Sequence, residues 1–88
     1  MDDFSEICNI ISSIKTKEEI KAFMTEIFTE SEIAALSKRW RILKMLNQGV
    51  TQRDIVKKLN VSLCNVTRGA KILKKQDTAV TKYLVKEK

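Results

Sequence analysis

The segment at residues 52–71 reads QRDIVKKLNVSLCNVTRGAK, and its apolar spacing decides the fold. Ile55 and Leu59 lie four residues apart, which places them on one face of a first helix. Val66 is placed to face back from a second helix, and Val61, just after a tight turn, fills the gap between the two. The pattern predicts two helices that cross at a steep angle around a small apolar wedge, which is a helix-turn-helix.

The second of these helices is free to present its outer N-terminal side to a partner. In a helix-turn-helix this side enters the major groove, where side chains reach the base edges. The candidate base-reading side chains are Leu63, Cys64, Asn65 and Thr67. The basic side chains around them, suited to phosphate contacts, are Arg53, Lys57, Lys58, Lys71, Lys74 and Lys75. The same spacing also fits a pair of helices in a bundle that touches no DNA.

Charge is distributed unevenly along the chain. Residues 1–34 hold eight acidic and three basic side chains, a net charge of −5, whereas residues 35–88 hold three acidic and 14 basic ones, a net charge of +11. The overall charge of +6 therefore conceals a basic C-terminal part that carries the helix-turn-helix. This arrangement favours a polyanion-binding face and a separate acidic face for another contact.

Apolar spacing and capping residues predict helices on both sides of the deciding segment. Proline is absent, and Thr16 with Glu19 and Thr29 with Glu32 have the spacing of capping boxes. The predicted helices cover about residues 3–15, 17–28, 30–48, 52–59, 63–75 and 78–86. The predicted architecture is all-α, with these short helices in a single domain of residues 1–88.

Length and composition exclude several classes of function. A chain of 88 residues buries only about 60% of the surface that it exposes when unfolded, so association with another chain is expected. Two cysteines cannot form a disulfide framework, and the absence of histidine removes the commonest general base and metal ligand. No targeting or membrane segment is visible. We therefore expect a cytoplasmic binding protein with no metal, no cofactor, no membrane partner and no enzymatic activity.

A family resemblance follows from the same residues. Residues 51–74 follow the pattern T-Q-R-D-I-V-K-K-L-N-V-S-x-x-x-V-T-R-G-A-x-x-L-K, which looks like the helix-turn-helix of the tryptophan repressor family. Upstream, residues 28–43 read FTESEIAALSKRWRIL and resemble the ligand-side helix of that family. The resemblance covers about residues 27–75, and a generic helix-turn-helix would not predict T-Q-R-D and V-T-R-G-A in this order and spacing.

The resemblance implies an intertwined homodimer that binds a double-stranded DNA operator. Residues 1–48 would supply the dimerisation and ligand-side helices, residues 51–75 the helix-turn-helix and residues 77–88 a C-terminal helix. The corepressor of the family, L-tryptophan, would lie between the core and the reading helices. The implied ligand-binding residues are Thr29, Arg39, Arg68, Gly69 and Ile72.

The resemblance also implies a role for each residue of this pocket. Arg39 and Arg68 would sandwich the indole ring and hold the carboxylate, since guanidinium planes stack on aromatic rings and pair with carboxylates. Gly69 would let the ligand approach the helix backbone, and Thr29 would sit at the helix start that closes the pocket. Ile72 stands where the family has a serine beside the amino group of the ligand. This change implies weaker or altered selectivity for tryptophan, or preference for a ligand without the amino group.

Asn65 stands where the family has a threonine on the recognition helix. Together these observations predict a sequence-specific transcriptional repressor controlled by tryptophan or a related small aromatic corepressor. In this reading Arg53 reads or positions the operator, while Lys57, Lys71 and Lys74 contact phosphates. The alternatives are a ligand-independent DNA-binding regulator of the same fold and a helical protein-interaction module.

Overall fold

The structure, a computed structural model, describes residues 2–75 and 77–87, the last three of them by their backbone alone. These residues form six helices, each beginning and ending within two residues of its predicted bounds. The helices are α1 (Asp3–Ser13), α2 (Lys17–Ile27), α3 (Glu30–Asn47), α4 (Gln52–Leu59), α5 (Leu63–Lys74) and α6 (Ala79–Glu87). The chain divides into two compact units, residues 1–33 and residues 34–88. Of the predicted C-terminal segment at 77–88, residue 88 lies outside the described residues.

Side-chain caps explain where the first helices begin. The backbone N–H of Ser5 donates to the Asp2 carboxylate over 2.6 Å at the start of α1, and this bond lowers the pKa of Asp2. The hydroxyl of Thr16 accepts from the N–H of Glu19 at the start of α2. Each bond pairs a donor in the first turn that the helix itself leaves unpaired.

The start of α3 is a complete capping box. The Thr29 hydroxyl accepts from the N–H of Glu32 over 3.1 Å, and the Glu32 carboxylate accepts from the N–H of Thr29 over 2.8 Å. The two residues therefore pair each other's backbone donors. This confirms the capping box predicted from the sequence.

The helix-turn-helix is bounded by the same kind of local chemistry. The hydroxyl of Thr51 caps α4 by accepting from Asp54, and the hydroxyl of Ser62 caps α5 by accepting from Asn65. Between these helices Asn60 takes the left-handed conformation, with φ of 52°. Asparagine tolerates this conformation better than most residues, so a tight turn forms without glycine.

The apolar core of the second unit lies under the helix-turn-helix. Ile42, Ile55 and Val66 form its central cluster, each no more than 2% exposed, and Leu43 and Leu84 are buried as well. Half-buried apolar side chains pack around them: Met45, Leu46, Val50, Val56, Leu59 and Val61. The predicted wedge between the two crossing helices is therefore confirmed.

Two positions of α3 differ from the sequence-based expectation, Leu36 and Ile42. The apolar spacing Ile33, Leu36, Trp40, Leu43 and Leu46 predicts one packed stripe along α3. Leu43 is buried and Leu46 packs against the core, but Leu36 is 46% exposed. Ile42, which that stripe omitted, is in the core. The spacing identifies the packed side of the C-terminal part of α3, and α4 and α5 decide that Ile42 is covered as well, because they pack on α3 from further along the chain.

Residues 2–33, the described part of the first unit, contain no such core. Neither α1 nor α2 contains a buried residue. Phe4 is 75% exposed and Ile27 is 51% exposed, although both belong to apolar stripes with helical spacing. Within the first unit these stripes remain largely uncovered.

Ile55→Val tests the core of the second unit. The side chain is fully buried, so removal of one methylene leaves a small cavity and should cost about 1 kcal/mol of unfolding free energy. Leu63→Ala is the control, because it removes more carbon from a side chain that is 57% exposed and should change stability by less than about 0.5 kcal/mol. Urea denaturation at one fixed protein concentration measures both. A larger loss from the control would contradict the assigned core.

Candidate functional site

A cleft of about 180 Å³ lies between α3 and α5. Its lining residues are Arg39, Ile42, Leu43, Asn65, Arg68, Gly69 and Ile72. Four of the five residues that the family resemblance assigned to the ligand therefore line this cleft, and Thr29 is the fifth. That residue belongs to the first unit, at the start of α3, and its place at the ligand stays a prediction.

Gly69 determines how closely α5 approaches α3. The residue is buried, and a Cβ atom added to it would lie 3.2 Å from Cδ1 of Leu46 and 3.3 Å from Cγ2 of Ile42. Few side chains tolerate neighbours at these distances, because protein interiors are close-packed. The missing side chain allows the backbone of α5 to rest on the side chains of α3. The floor of the cleft is formed by this contact.

The cleft combines cationic walls with an apolar interior. Arg39 reaches it from α3 and Arg68 from α5, while Ile72 adds a half-buried branched side chain. A guanidinium group can stack on an aromatic ring and can also donate two hydrogen bonds to a carboxylate. The arrangement therefore suits a small, flat, partly apolar ligand that carries negative charge.

The outer side of α5 forms a second, shallower depression of about 370 Å³. It is lined by Leu63, Cys64, Thr67, Arg68 and Lys71. All of these side chains are exposed, as are the other residues predicted to contact DNA, Arg53, Lys57, Asn65 and Lys74. The predicted base-reading and phosphate-contacting residues are thus accessible to a large partner.

Two residues of α5 lie at a surface that the sequence-based assignment did not give them. Asn65 was assigned to the base-reading set, yet it lines the cleft while remaining exposed. Arg68 was assigned to the ligand, yet it borders both the cleft and the outer depression. Asn65 lies three residues before Arg68 and four before Gly69. This helical spacing could have indicated that Asn65 shares a side of α5 with the two ligand-site residues.

Gln52 is a further residue that the sequence reasoning missed. The Thr67 hydroxyl donates to Oε1 of Gln52 over 3.3 Å, which joins the first turn of α4 to the outer side of α5. Both side chains are exposed, so the bond lies outside the buried core. It ties a candidate base-reading side chain to the neighbouring helix.

Metal-binding clusters and membrane-spanning helices are absent from residues 2–75 and 77–87. No group of three or more histidine, cysteine or acidic side chains there could hold a metal ion. None of the described helices is long and apolar enough to cross a membrane. The cleft and the outer side of α5 are the candidate sites because residues predicted to bind ligand or DNA line them.

The fold and these two surfaces define an all-α helix-turn-helix protein of the transcription-regulator class. The chain belongs to the tryptophan repressor family, because the sequence model of that family, described as "Trp repressor protein", matches residues 2–88. This confirms the resemblance drawn from the sequence and the all-α fold class. The family is one of transcriptional regulators and not of enzymes.

Relatives of the chain carry matching names. A "Trp operon repressor homolog" of Chlamydia caviae is 35% identical over 83 residues, which is 93% of this chain and 79% of the relative. A protein of the same name from Xylella fastidiosa is 33% identical, covering 96% of this chain and 90% of the relative. One from Chlamydia trachomatis is 32% identical, with coverage of 96% and 87%. No solved structure matches the chain. The chain is a regulator of the tryptophan repressor type.

Gly69→Val tests the close contact beneath the cleft. The added side chain would press on Leu46 and Ile42, so we expect a loss of about 1–3 kcal/mol in unfolding free energy. Lys71→Val is the matched control, because it places the same β-branched residue at an exposed position of the same helix and should cost only a few tenths of a kcal/mol. Urea denaturation compares them, and equal losses would mean that the contact at Gly69 is not restrictive.

Proposed function

We propose that the chain is a cytoplasmic, homodimeric, sequence-specific DNA-binding repressor, controlled by tryptophan or a related small aromatic corepressor. The observation that carries this proposal is the position of Arg68 on α5, where it borders both the cleft and the outer side of the helix. One helix would then bind the ligand on one side and DNA on the other. Ligand binding and DNA binding would be linked through that helix.

The outer side of α5 supports the DNA-binding part of the proposal. Leu63, Cys64 and Thr67 would enter the major groove, with Asn65 beside them at the rim of the cleft. The phosphate-contacting residues would be Lys57, Lys71 and Lys74, and Arg53 would read a base or position the helix on the operator. The net charge of +11 on residues 35–88 supports contact with a polyanion.

The uncovered helices of the first unit support the homodimer. Because α1 and α2 bury no residue within one chain, their apolar stripes would be covered by those of a second copy. A two-fold dimer would present two reading helices to successive major grooves, roughly 34 Å apart. Two reading helices per molecule would account for recognition of an operator by such a small chain.

The cleft supports control by a ligand. Arg39 and Arg68 would hold the ring and the carboxylate, with Gly69 and Ile72 against the ring and Thr29 closing the pocket. Occupation of the cleft would fix the tilt of α5 relative to α3, so that both reading helices fit their grooves. By linkage, DNA would tighten ligand binding by the same factor by which the ligand tightens DNA binding.

Arg53→Ala tests the DNA-reading assignment. A duplex selected from a random pool by the unsubstituted chain serves as the operator, and fluorescence anisotropy measures binding. We expect about a ten- to hundredfold loss of affinity for this duplex and a weaker dependence on salt. Lys17→Ala is the control, because it removes one exposed positive charge from α2 and should leave affinity unchanged.

The same titration separates the alternative functions. Affinity that falls steeply with rising salt is the signature of phosphate contacts, and its absence for every duplex would indicate a helical protein-interaction module instead. If no aromatic acid changes the affinity for the operator duplex, the chain is a ligand-independent regulator. Full affinity of the Arg53→Ala variant for the operator duplex would contradict the assignment of Arg53 to the reading surface.

Arg68→Ala tests the ligand-binding assignment in the absence of DNA. Loss of the guanidinium removes both a plane that stacks on the ring and the N–H groups that donate to the ligand carboxylate. We therefore expect at least about a tenfold weaker affinity for small aromatic acids. Isothermal titration calorimetry with L-tryptophan and indole-3-propionate measures it. Arg53→Ala is the control, since it removes the same group from α4 and does not line the cleft. Equal affinity of the two variants would mean that the cleft is not the ligand site.

A further inference from the structure

The Thr67 hydroxyl bonds differently from four other hydroxyls in the described helices. Each of those four donates to the carbonyl oxygen three residues earlier in its own helix, and they belong to Ser12, Ser13, Thr25 and Thr81. Bonds of this kind are common for serine and threonine inside a helix. Thr67 instead donates to Oε1 of Gln52, the first residue of α4, over 3.3 Å. Its hydroxyl is thus held by the neighbouring helix.

We propose that Gln52 is a positioning residue for DNA recognition, which holds the Thr67 hydroxyl as a hydrogen-bond acceptor for an exocyclic amino group of a base. Adenine N6 and cytosine N4 present such groups in the major groove. This inference rests on the proposed function, because it concerns the side of α5 that would face DNA. It goes beyond that function by giving Gln52 a role and Thr67 a chemical class of partner.

The direction of the bond determines which partners suit Thr67. A hydroxyl has one proton to donate and two lone pairs that accept. Because the proton points at Oε1 of Gln52, the lone pairs of the Thr67 oxygen are left for a second partner. Phosphate oxygens only accept and cannot pair with them, whereas an exocyclic amino group donates N–H. The bond therefore directs Thr67 toward a base and away from the phosphate backbone.

The side chains around Thr67 lack another oxygen that could accept. The outer depression of α5 is also lined by Leu63, Cys64, Arg68 and Lys71. Arg68 and Lys71 only donate, Leu63 is hydrocarbon, and the sulfur of Cys64 is a weak acceptor. The two cationic side chains can pair with phosphates and with the acceptor edge of guanine. Among the lining side chains that the structure describes, the Thr67 oxygen is therefore the group suited to an amino group.

Two buried residues hold both ends of the bond in place. Ile55 follows Gln52 by three residues on α4, and Val66 directly precedes Thr67 on α5. Both are fully buried in the core, so they fix the backbones from which the two bonded side chains extend. A hydroxyl that is already oriented loses less conformational freedom when it binds a partner. The bond therefore prepares Thr67 for readout before DNA is bound.

The test first finds the base that Thr67 contacts. In the operator duplex selected by the unsubstituted chain, purine replaces each adenine in turn and pyrimidin-2-one replaces each cytosine, so that each duplex lacks one exocyclic amino group. Fluorescence anisotropy measures the amino-group ratio, which is the affinity for the operator divided by the affinity for the replaced duplex. We expect one replacement in each half-site to give a ratio of about three to ten, the range of one hydrogen bond. Thr67→Val should lower that ratio to about one, and the base concerned distinguishes adenine from cytosine.

Variants of Gln52 then separate positioning from a general structural role. Gln52→Met removes the acceptor at nearly the same length, so the ratio should fall to about one, and adding Thr67→Val should lower it no further. Gln52→Glu keeps oxygen acceptors for the Thr67 hydroxyl and should retain the ratio, although its charge weakens binding to every duplex. Gln48→Met is the matched control, because it makes the same change at an exposed residue just after α3 and should retain both affinity and ratio.

The outcomes distinguish the inference from the proposed function. An undiminished ratio in Gln52→Met or in Thr67→Val would overturn the inference and leave an operator-binding repressor. Ratios near one for every replacement in the unsubstituted chain would do the same, because no amino group would then be read. Loss of the ratio in Gln52→Glu or in Gln48→Met would show that the bond to Thr67 is not what matters. If no duplex binds with a steep dependence on salt, the proposed function fails together with the inference.

Discussion

The close contact between Gly69 of α5 and the side chains of α3 is the constraint on which the second unit depends. Because no side chain stands at this position, the α5 backbone comes within van der Waals reach of Leu46 and Ile42. The contact sets the separation of two helices whose arginines then face a common cleft. A larger residue would push α5 outward, changing the cleft and the position of the outer surface together.

The use of one helix for two surfaces gives a physical basis for control of DNA binding. Successive residues of an α-helix are rotated by about a quarter turn or slightly more, so neighbouring positions of α5 belong to different sides. Arg68 stands between these sides and borders both depressions. In our proposal a ligand that engages its guanidinium also restricts the surface that faces DNA. Because α5 itself joins the two sites, coupling between them requires no additional chain of residues.

The two units of the chain divide their charge as they divide their packing. The acidic N-terminal part bears helices without buried residues, whereas the basic C-terminal part contains the core. In our proposal, the acidic residues near the apolar stripes keep that part away from DNA and available to a second copy. The basic part would then remain free for the operator. The uneven charge, invisible in the net value of +6, accords with this division.

Local chemistry allowed the sequence by itself to determine the helices, their caps, the helix-turn-helix wedge and the family. Thr29 with Glu32, and Ile55 with Val66, act over a few residues or across one tight turn, so their spacing carries the information. Only the tertiary structure decided that Ile42 of α3 is buried while Leu36 is exposed, and that Asn65 borders the cleft. Those outcomes depend on how α4 and α5 pack against a helix that precedes them in the chain, and periodicity within one helix does not encode which of its neighbouring sides will be covered.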